Sequence, residues 1–282
     1  MFEPNDIAEY YDSTQIHYTQ WWDLSNSLSL HYGIWNKDTK NFKEAVINTN
    51  KVLMELSNIK TSDSVLDAGC GVGGAAIFLA EQKNVKVTGI TLSQNQLDFA
   101  NALIQERKLT QNINFQMMDY SNTSFPDESF DVIWACESIS SCPNKSMFIQ
   151  EAYRLLKKGG RLIISDYFLT NDGLNTSNKW IKKWEKTWAL SDLNTCESFV
   201  KSLQKSGFEN IEPFDYTSQI TKSAKRMYYA AILAAIPSEV YKLMNPNVSR
   251  FARNHYKSGI YQYKSLKERL WNYNIILSIK NT

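Results

Sequence analysis

The 282-residue chain lacks most of the features that would assign it to a class at once. It contains no run of about 18 apolar residues, the length a bilayer span needs. The longest candidate, Met227 to Ile236, falls well short, so no stable membrane insertion is expected. Cysteine is scarce: Cys70, Cys136, Cys142 and Cys196 form no C-x-x-C pair and have no zinc-ligand spacing, which excludes a disulfide scaffold and gives no metal site. They read as reduced thiols in a cytoplasmic protein. The opening residues, MFEPNDIAEYYD, carry no basic-then-apolar signal pattern. Charge of one sign is also missing. Lys and Arg number 31 against 29 Asp and Glu, and this balance gives no electrostatic ground for nucleic acid or anionic membrane as the main partner. No internal repeat or low-complexity tract is visible.

What remains is a globular composition, 43% apolar and 21% charged. Residues 64–169 alternate between strand and helix patterns. Strands are expected at Ser64–Asp67, Val85–Ile90, Ile113–Met118, Phe130–Cys136 and Arg161–Tyr167, and helices at Val72–Gln82, Gln94–Lys108 and Lys145–Leu156, the last stopped by Gly159-Gly160. Apolar strands between amphipathic helices argue for a parallel sheet covered on both faces. A sixth strand at Phe208–Phe214 and a seventh at Trp271–Ile279 complete an α/β, Rossmann-like, seven-stranded, mostly parallel sheet. Residues 1–45 form an N-terminal helical cap. Residues 46–282 form the main domain, with cap insertions at about 170–195 and 218–263. Within the last insertion Asn245-Pro246 is a helix-start signal and Gly259 a helix-stop signal. These three irregular segments hold 19 of the 36 aromatic residues, and the first two hold six of the eight Trp.

The strongest local signal is Asp67-Ala-Gly69-Cys-Gly71-Val-Gly73-Gly74, which follows a strand and opens a helix. Such glycines allow a tight turn and let a ligand approach the main chain. The spacing also satisfies the dinucleotide pattern, but that pattern wants an acid at the end of the second strand. The residues there are Gly89-Ile-Thr91-Leu92-Ser93, with no carboxylate. Asp67, two residues before the first glycine, would repel a pyrophosphate and suits a ligand with positive charge.

These stretches, VLDAGCGVGG, VTGITLSQNQ and LLKKGGRLIISD, resemble the class I S-adenosylmethionine-dependent methyltransferases. The closer resemblance is to the tocopherol, sterol and ubiquinone C-methyltransferases and the cyclopropane synthases. It extends over roughly residues 5–216, because IAEYYDS and HYGIW are similar to that group's N-terminal cap. The resemblance implies S-adenosyl-L-methionine as cofactor and S-adenosyl-L-homocysteine as product. It sets Asp67 near the methionine amino group and Gly69, Gly71 and Gly73 beside the methionine part. It sets Thr91 (with Leu92 next to it) and Gln96 at the ribose, Met118 and Asp119 at the adenine, and Cys136 at the mouth of the fourth strand where cofactor and acceptor meet. One departure matters. Members often read E-S-x-x-H after that strand, whereas this chain reads Glu137-Ser-Ile-Ser-Ser141. A histidine base is unavailable there, which leaves Glu137 and the cap residue His31 as candidate catalytic groups.

The acceptor is expected to be a small molecule, hydrophobic or caged by aromatic rings, methylated on carbon, oxygen or nitrogen. Aromatic faces can stabilise cationic charge. The candidates are Tyr11, Trp22 and Tyr32 from the first segment and Trp180, Trp184 and Trp188, spaced by four residues so as to share one helix stripe. Natural-product biosynthesis fits such an acceptor. Two other functions compete. A nicotinamide-dependent oxidoreductase could use a similar sheet, though Thr91 stands where it needs an acid. A catalytically silent cofactor-binding partner protein would explain the missing histidine. Oligomeric state is not readable.

Overall fold

The structure is a computed structural model that describes residues 2–21, 24–175 and 179–281. In chain order its elements are α1 (Pro4–Trp21), α2 (Leu24–Ser27), α3 (Phe42–Leu56), β1 (Ser64–Ala68), α4 (Gly74–Lys83), β2 (Lys86–Thr91), α5 (Gln94–Glu106), β3 (Ile113–Met117), β4 (Phe130–Cys136), α6 (Lys145–Leu155), β5 (Leu156–Leu169), α7 (Asn171–Asn175), α8 (Lys179–Thr187), α9 (Cys196–Lys205), β6 (Phe208–Asp215), α10 (Thr217–Met244), α11 (His255–Lys267) and β7 (Trp271–Lys280). The sheet order is β3-β2-β1-β4-β5-β7-β6. β1 to β5 run parallel, and β7 runs antiparallel between β5 and β6. The seven-stranded, mostly parallel sheet expected from the alternation is present.

Burial on both faces explains the near-continuous apolar strands. In β4, Val132, Ile133, Trp134 and Ala135 are all at or below 1% exposure. Helix starts are fixed by side-chain caps that satisfy otherwise orphaned amides. Asn41 accepts from the Glu44 amide while Glu44 accepts from the Lys40 amide, and Ser93, Asn144 and Thr195 cap α5, α6 and α9.

Three sequence expectations fail locally. Gly159-Gly160 does not stop α6: that helix ends at Leu155, and Leu156 already pairs with Phe130. The two glycines lie in the irregular stretch where the β4–β5 register shifts before Val132 meets Arg161. Likewise Asn245-Pro246 follows a helix rather than starting one, since α10 ends at Met244. Gly259 lies inside α11, where an added Cβ would sit 2.8 Å from the Met227 carbonyl oxygen and 2.9 Å from the Ala231 methyl. It permits close helix crossing, a tertiary requirement invisible to local punctuation.

The cap elements share the sheet's core. Tyr10, Tyr32, Trp184 and Phe251 belong to one buried cluster with Val65, Trp134, Trp271 and Tyr273. α11 packs against both α10 and α8, and Ser223 of α10 accepts from the Gly33 amide and the Trp35 indole. Among the described residues, no helix is long and apolar enough to cross a membrane.

Candidate active site

Strand order reverses between β1 and β4, and the carboxyl ends of the strands open there into a cleft. Its enclosed space is about 100 Å³, and the rest of the cleft is open to solvent. Its walls come from the strand ends (Asp67, Thr91, Met118, Cys136, Glu137, Tyr167), from the glycine turn, and from α1 and the Leu28–His31 segment lying across the opening.

The glycine turn is built for close approach. Gly69, Gly71 and Gly73 all have positive φ, a region costly for residues with a Cβ. At Gly69 a Cβ would also meet the Ser138 Cβ at 2.5 Å. Gly69, Gly71 and Gly74 line the cleft, but Gly73 does not. Gly73 N-caps α4, and a Cβ there would strike the Phe115 ring at 2.4 Å. Its role is packing rather than ligand contact.

Asp67, at the end of β1, is 2% exposed. Its Oδ2 has no hydrogen-bond partner. Burial alone pushes its carboxyl up to about 7. A buried, unpartnered carboxylate on a ligand cleft is costly unless a cation arrives. At the end of β2 the Thr91 hydroxyl donates to Gln96 Oε1 at 2.9 Å, leaving the amide NH₂ of Gln96 as the donor side. Ser93 caps this helix and donates to Asp12, tying α1 to the site. Leu92, Gln96 and Met118 line the cleft. Asp119 does not: its carboxylate accepts from the Ser121 amide at 2.7 Å, and the next residue, Tyr120, takes the lining position.

Glu137 sits at the end of β4 with φ 50, a strained conformation for a residue with a side chain. Its amide donates to the Ser165 carbonyl. Its carboxylate accepts from the Tyr32 amide at 2.7 Å, from the Tyr273 hydroxyl at 2.8 Å and from the Tyr167 hydroxyl. Burial outweighs these donors and raises it to about 8. His31 is also buried and lines the cleft. Its Nδ1 lies 3.0 Å from the Tyr32 carbonyl, which requires Nδ1–H, and its Nε2 has no partner. Burial lowers its pKa to about 4, so the ring is neutral at physiological pH. Across the cleft, Tyr11 adjoins Ser141, and burial pushes its phenol to about 12.

The aromatic expectations divide. Tyr11 and Trp188 line the cleft. Tyr32 and Trp184 stand behind it, each fully buried. Tyr32 donates to Gln262 and packs edge-on to Tyr167, and Trp184 packs on Tyr167 and Trp271. Trp180 is on the outside. It stacks on Tyr261, donates to Glu268, and has Lys264 Nζ 4.4 Å from its ring centre. Of the three stripe residues, only Trp188 lines the cleft. Trp22 lies outside the described residues. Sequence reasoning missed Tyr167 and Leu28–Leu30. Tyr167 was findable, because it belongs to β5 near the same carboxyl edge as Asp67, whereas nothing periodic marks Leu28–Leu30.

With this geometry in hand, comparison with known proteins is specific. The methyltransferase domain family model matches residues 66–164. The chain is 34% identical over 221 residues to 27-O-demethylrifamycin SV methyltransferase of Amycolatopsis mediterranei (strain S699), covering 78% of this chain and 79% of that protein. It is 30% identical over 223 residues to phosphoethanolamine N-methyltransferase 1 of Arabidopsis thaliana, of whose length it spans 42%. Among solved structures, the [4+2]-cyclase SpnF superposes with a TM-score of 0.81 at 24% identity, covering 100% of this chain and 98% of that one, a likeness of fold.

Proposed function

The chain belongs to the class I S-adenosylmethionine-dependent methyltransferases, and from that premise we propose that its cleft methylates a small acceptor whose reacting atom surrenders a proton to Glu137. As an enzyme of this family it uses S-adenosyl-L-methionine and releases S-adenosyl-L-homocysteine. The cofactor supplies an electrophilic methyl group on a sulfonium.

The residues present fit that cofactor. The unpartnered, buried Oδ2 of Asp67 is the partner a methionine ammonium needs. Gly69 and Gly71 offer main chain without side chains beside it. Gln96, held by Thr91, turns a donor toward ribose hydroxyls. Met118 and Tyr120 flank the place for adenine, in which Tyr120 takes the part expected of Asp119. The nicotinamide reading gains nothing, because Thr91 ends β2 where that cofactor wants a carboxylate.

The observation that carries the acceptor chemistry is Glu137, which lines the cleft and whose carboxylate is held by three donors from three parts of the chain. A base titrating near 8 is matched to proton abstraction near neutrality. His31, lowered to about 4 by burial, is the weaker base. Tyr11, Tyr167 and Trp188 give the acceptor side aromatic walls, supporting a hydrophobic body around an acidic O–H, N–H or activated C–H. Alignment and exclusion of water supply the rest. The test is mass spectrometry of a small-molecule extract incubated with enzyme and methyl-deuterated cofactor. A labelled product formed by the wild type and absent with Glu137→Gln is expected. Equal labelling by both would refute the role of Glu137.

A further inference from the structure

We propose that the outer face of α10 docks on an anionic lipid bilayer. α10 is apolar on two sides. Its inner side, with Ala224, Met227, Ala231 and Ala234, is buried. Its outer side presents Tyr229, Ile232, Leu233, Ile236, Val240 and Leu243 at three- and four-residue steps, a single stripe on a helix. Leu233 is 72% exposed, Ile236 78% and Leu243 84%. From Tyr229 to Met244 the stripe is about 22 Å long at 1.5 Å per residue, more than scattered surface apolar residues account for.

The charge around the stripe names the partner. Residues 217–269 carry ten Lys and Arg against two Glu, although the whole chain is nearly balanced at 31 against 29. The neutral total therefore hides one basic insertion in an otherwise net acidic chain. Exposed Lys222 and Lys225 precede the stripe, and Arg250, Arg253 and Lys257 follow it. Glu239 pairs with Lys242 at 2.6 Å and with Lys257 at 3.8 Å, and Arg250 pairs with Asp6 and, at 3.7 Å, with Glu9 of α1, so the exposed Lys222 and Lys225 are the cations the test removes. An aliphatic stripe edged by cations is the pattern of a helix lying in a headgroup region rich in anionic lipid. A second copy of the chain fits less well, because a two-fold contact through this stripe would bring the same cations together.

The location gives the surface a use. Phe2, just before α1, and Tyr10 of α1 pack against Phe251 in the chain just after α10, and Ile7 and Tyr11 of α1 line the cleft. A docked cap would bring the α1 wall of the cleft near the lipid, where an apolar acceptor would partition. The docking itself does not depend on the acceptor chemistry proposed above.

The experiment is vesicle flotation of the full chain, with phosphatidylcholine alone and with an equal part of phosphatidylglycerol. Binding to the mixed vesicles, at least tenfold weaker binding to the neutral ones and release by high salt are expected. Leu233→Glu with Ile236→Glu should remove binding while thermal melting and S-adenosylhomocysteine affinity stay as in the wild type. Lys222→Gln and Lys225→Gln should weaken it by roughly fivefold for each cation removed. Absence of vesicle binding by the wild type, or retained binding in both double variants, would overturn the proposal. So would a wild-type dimer in sedimentation velocity that Leu233→Glu with Ile236→Glu converts to monomer, which would identify a second copy as the occupant.

Discussion

Replacing Asp67 by Asn should uncouple cofactor binding from pH. The carboxyl is buried, its Oδ2 has no partner, and burial pushes it from 3.8 to about 7. A ligand ammonium interacts well only with the ionised form. With the midpoint at about 7, the ionised fraction rises about 25-fold between pH 5.5 and 7.5, and affinity for S-adenosylhomocysteine should rise with it by linkage. Binding below pH 7 should also release a proton, visible as a buffer-dependent heat in titration calorimetry. Asp67→Asn keeps the shape and loses the charge. Its affinity should be flat across this range and, at pH 7.5, about 1.5–3 kcal/mol weaker, the value of a hydrogen bond to a charged group. Stability should move the opposite way. A carboxyl whose folded value is raised binds more protons folded than unfolded between pH 3.8 and about 7, so the ligand-free protein loses stability as pH rises through that window. The variant should melt higher than the wild type above pH 7, by an amount bounded at about 4 kcal/mol. Affinity that is flat in the wild type and unchanged by the substitution would refute the pairing of Asp67 with the ammonium.

Glu137→Gln should lower kcat by about 10²- to 10⁴-fold, the usual worth of a general base, with cofactor affinity unaltered. The wild-type rate should climb with pH through about 8, where Glu137 loses its proton, and the variant should lack that limb. Trp188→Ala should raise the KM for acceptor because the ring lines the cleft, while Trp180→Ala should leave both KM and kcat unchanged, its ring being stacked outside on Tyr261; steady-state kinetics of the pair separates the two. Gly259→Val should destabilise the protein by about 1–3 kcal/mol, the cost of overpacking, because its Cβ would lie 2.8 Å from the Met227 carbonyl oxygen; urea unfolding measures this directly.

The sheet was legible because every strand carries its own signal: a short apolar run bounded by turn residues needs no knowledge of its neighbours. The same holds for Asp67 and Thr91, which are fixed to strand ends and therefore to one edge. Legibility fails where a residue's meaning is set by a partner far along the chain. Gly259 looks like a stop signal until Met227 and Ala231 are seen against it. The Asp119 carboxylate, expected at the adenine, also has a local use that the strand pattern does not show, accepting from the Ser121 amide. The Trp180, Trp184 and Trp188 stripe is real as helical spacing. Yet a helix docked between the sheet and α11 must present its successive turns to different surroundings, so one stripe divides into an outer, a buried and a cleft-lining ring.

Glu137 shows the two kinds of information working together. Its place at the carboxyl end of β4 follows from the strand pattern, but its chemistry comes from Tyr32, Tyr167 and Tyr273, residues 105, 30 and 136 positions away. Two of these rings lie behind the cleft wall and only Tyr167 lines it. The N-terminal segment thus takes part in holding the carboxylate, through the main-chain amide of Tyr32. Tyr32, brought by the N-terminal segment, and Tyr273, brought by the last strand, close the carboxylate's coordination from outside the glycine-motif region. The carboxylate's position therefore depends on the cap being seated on the sheet. Because burial raises this group to about 8 and its three donors pull the other way, losing a donor should raise it further. Tyr273→Phe should accordingly shift the rate profile to higher pH while leaving S-adenosylhomocysteine affinity unchanged. A profile that stays in place while kcat falls would mean that Tyr273 only positions the ring stack around Tyr32 and does not tune the base.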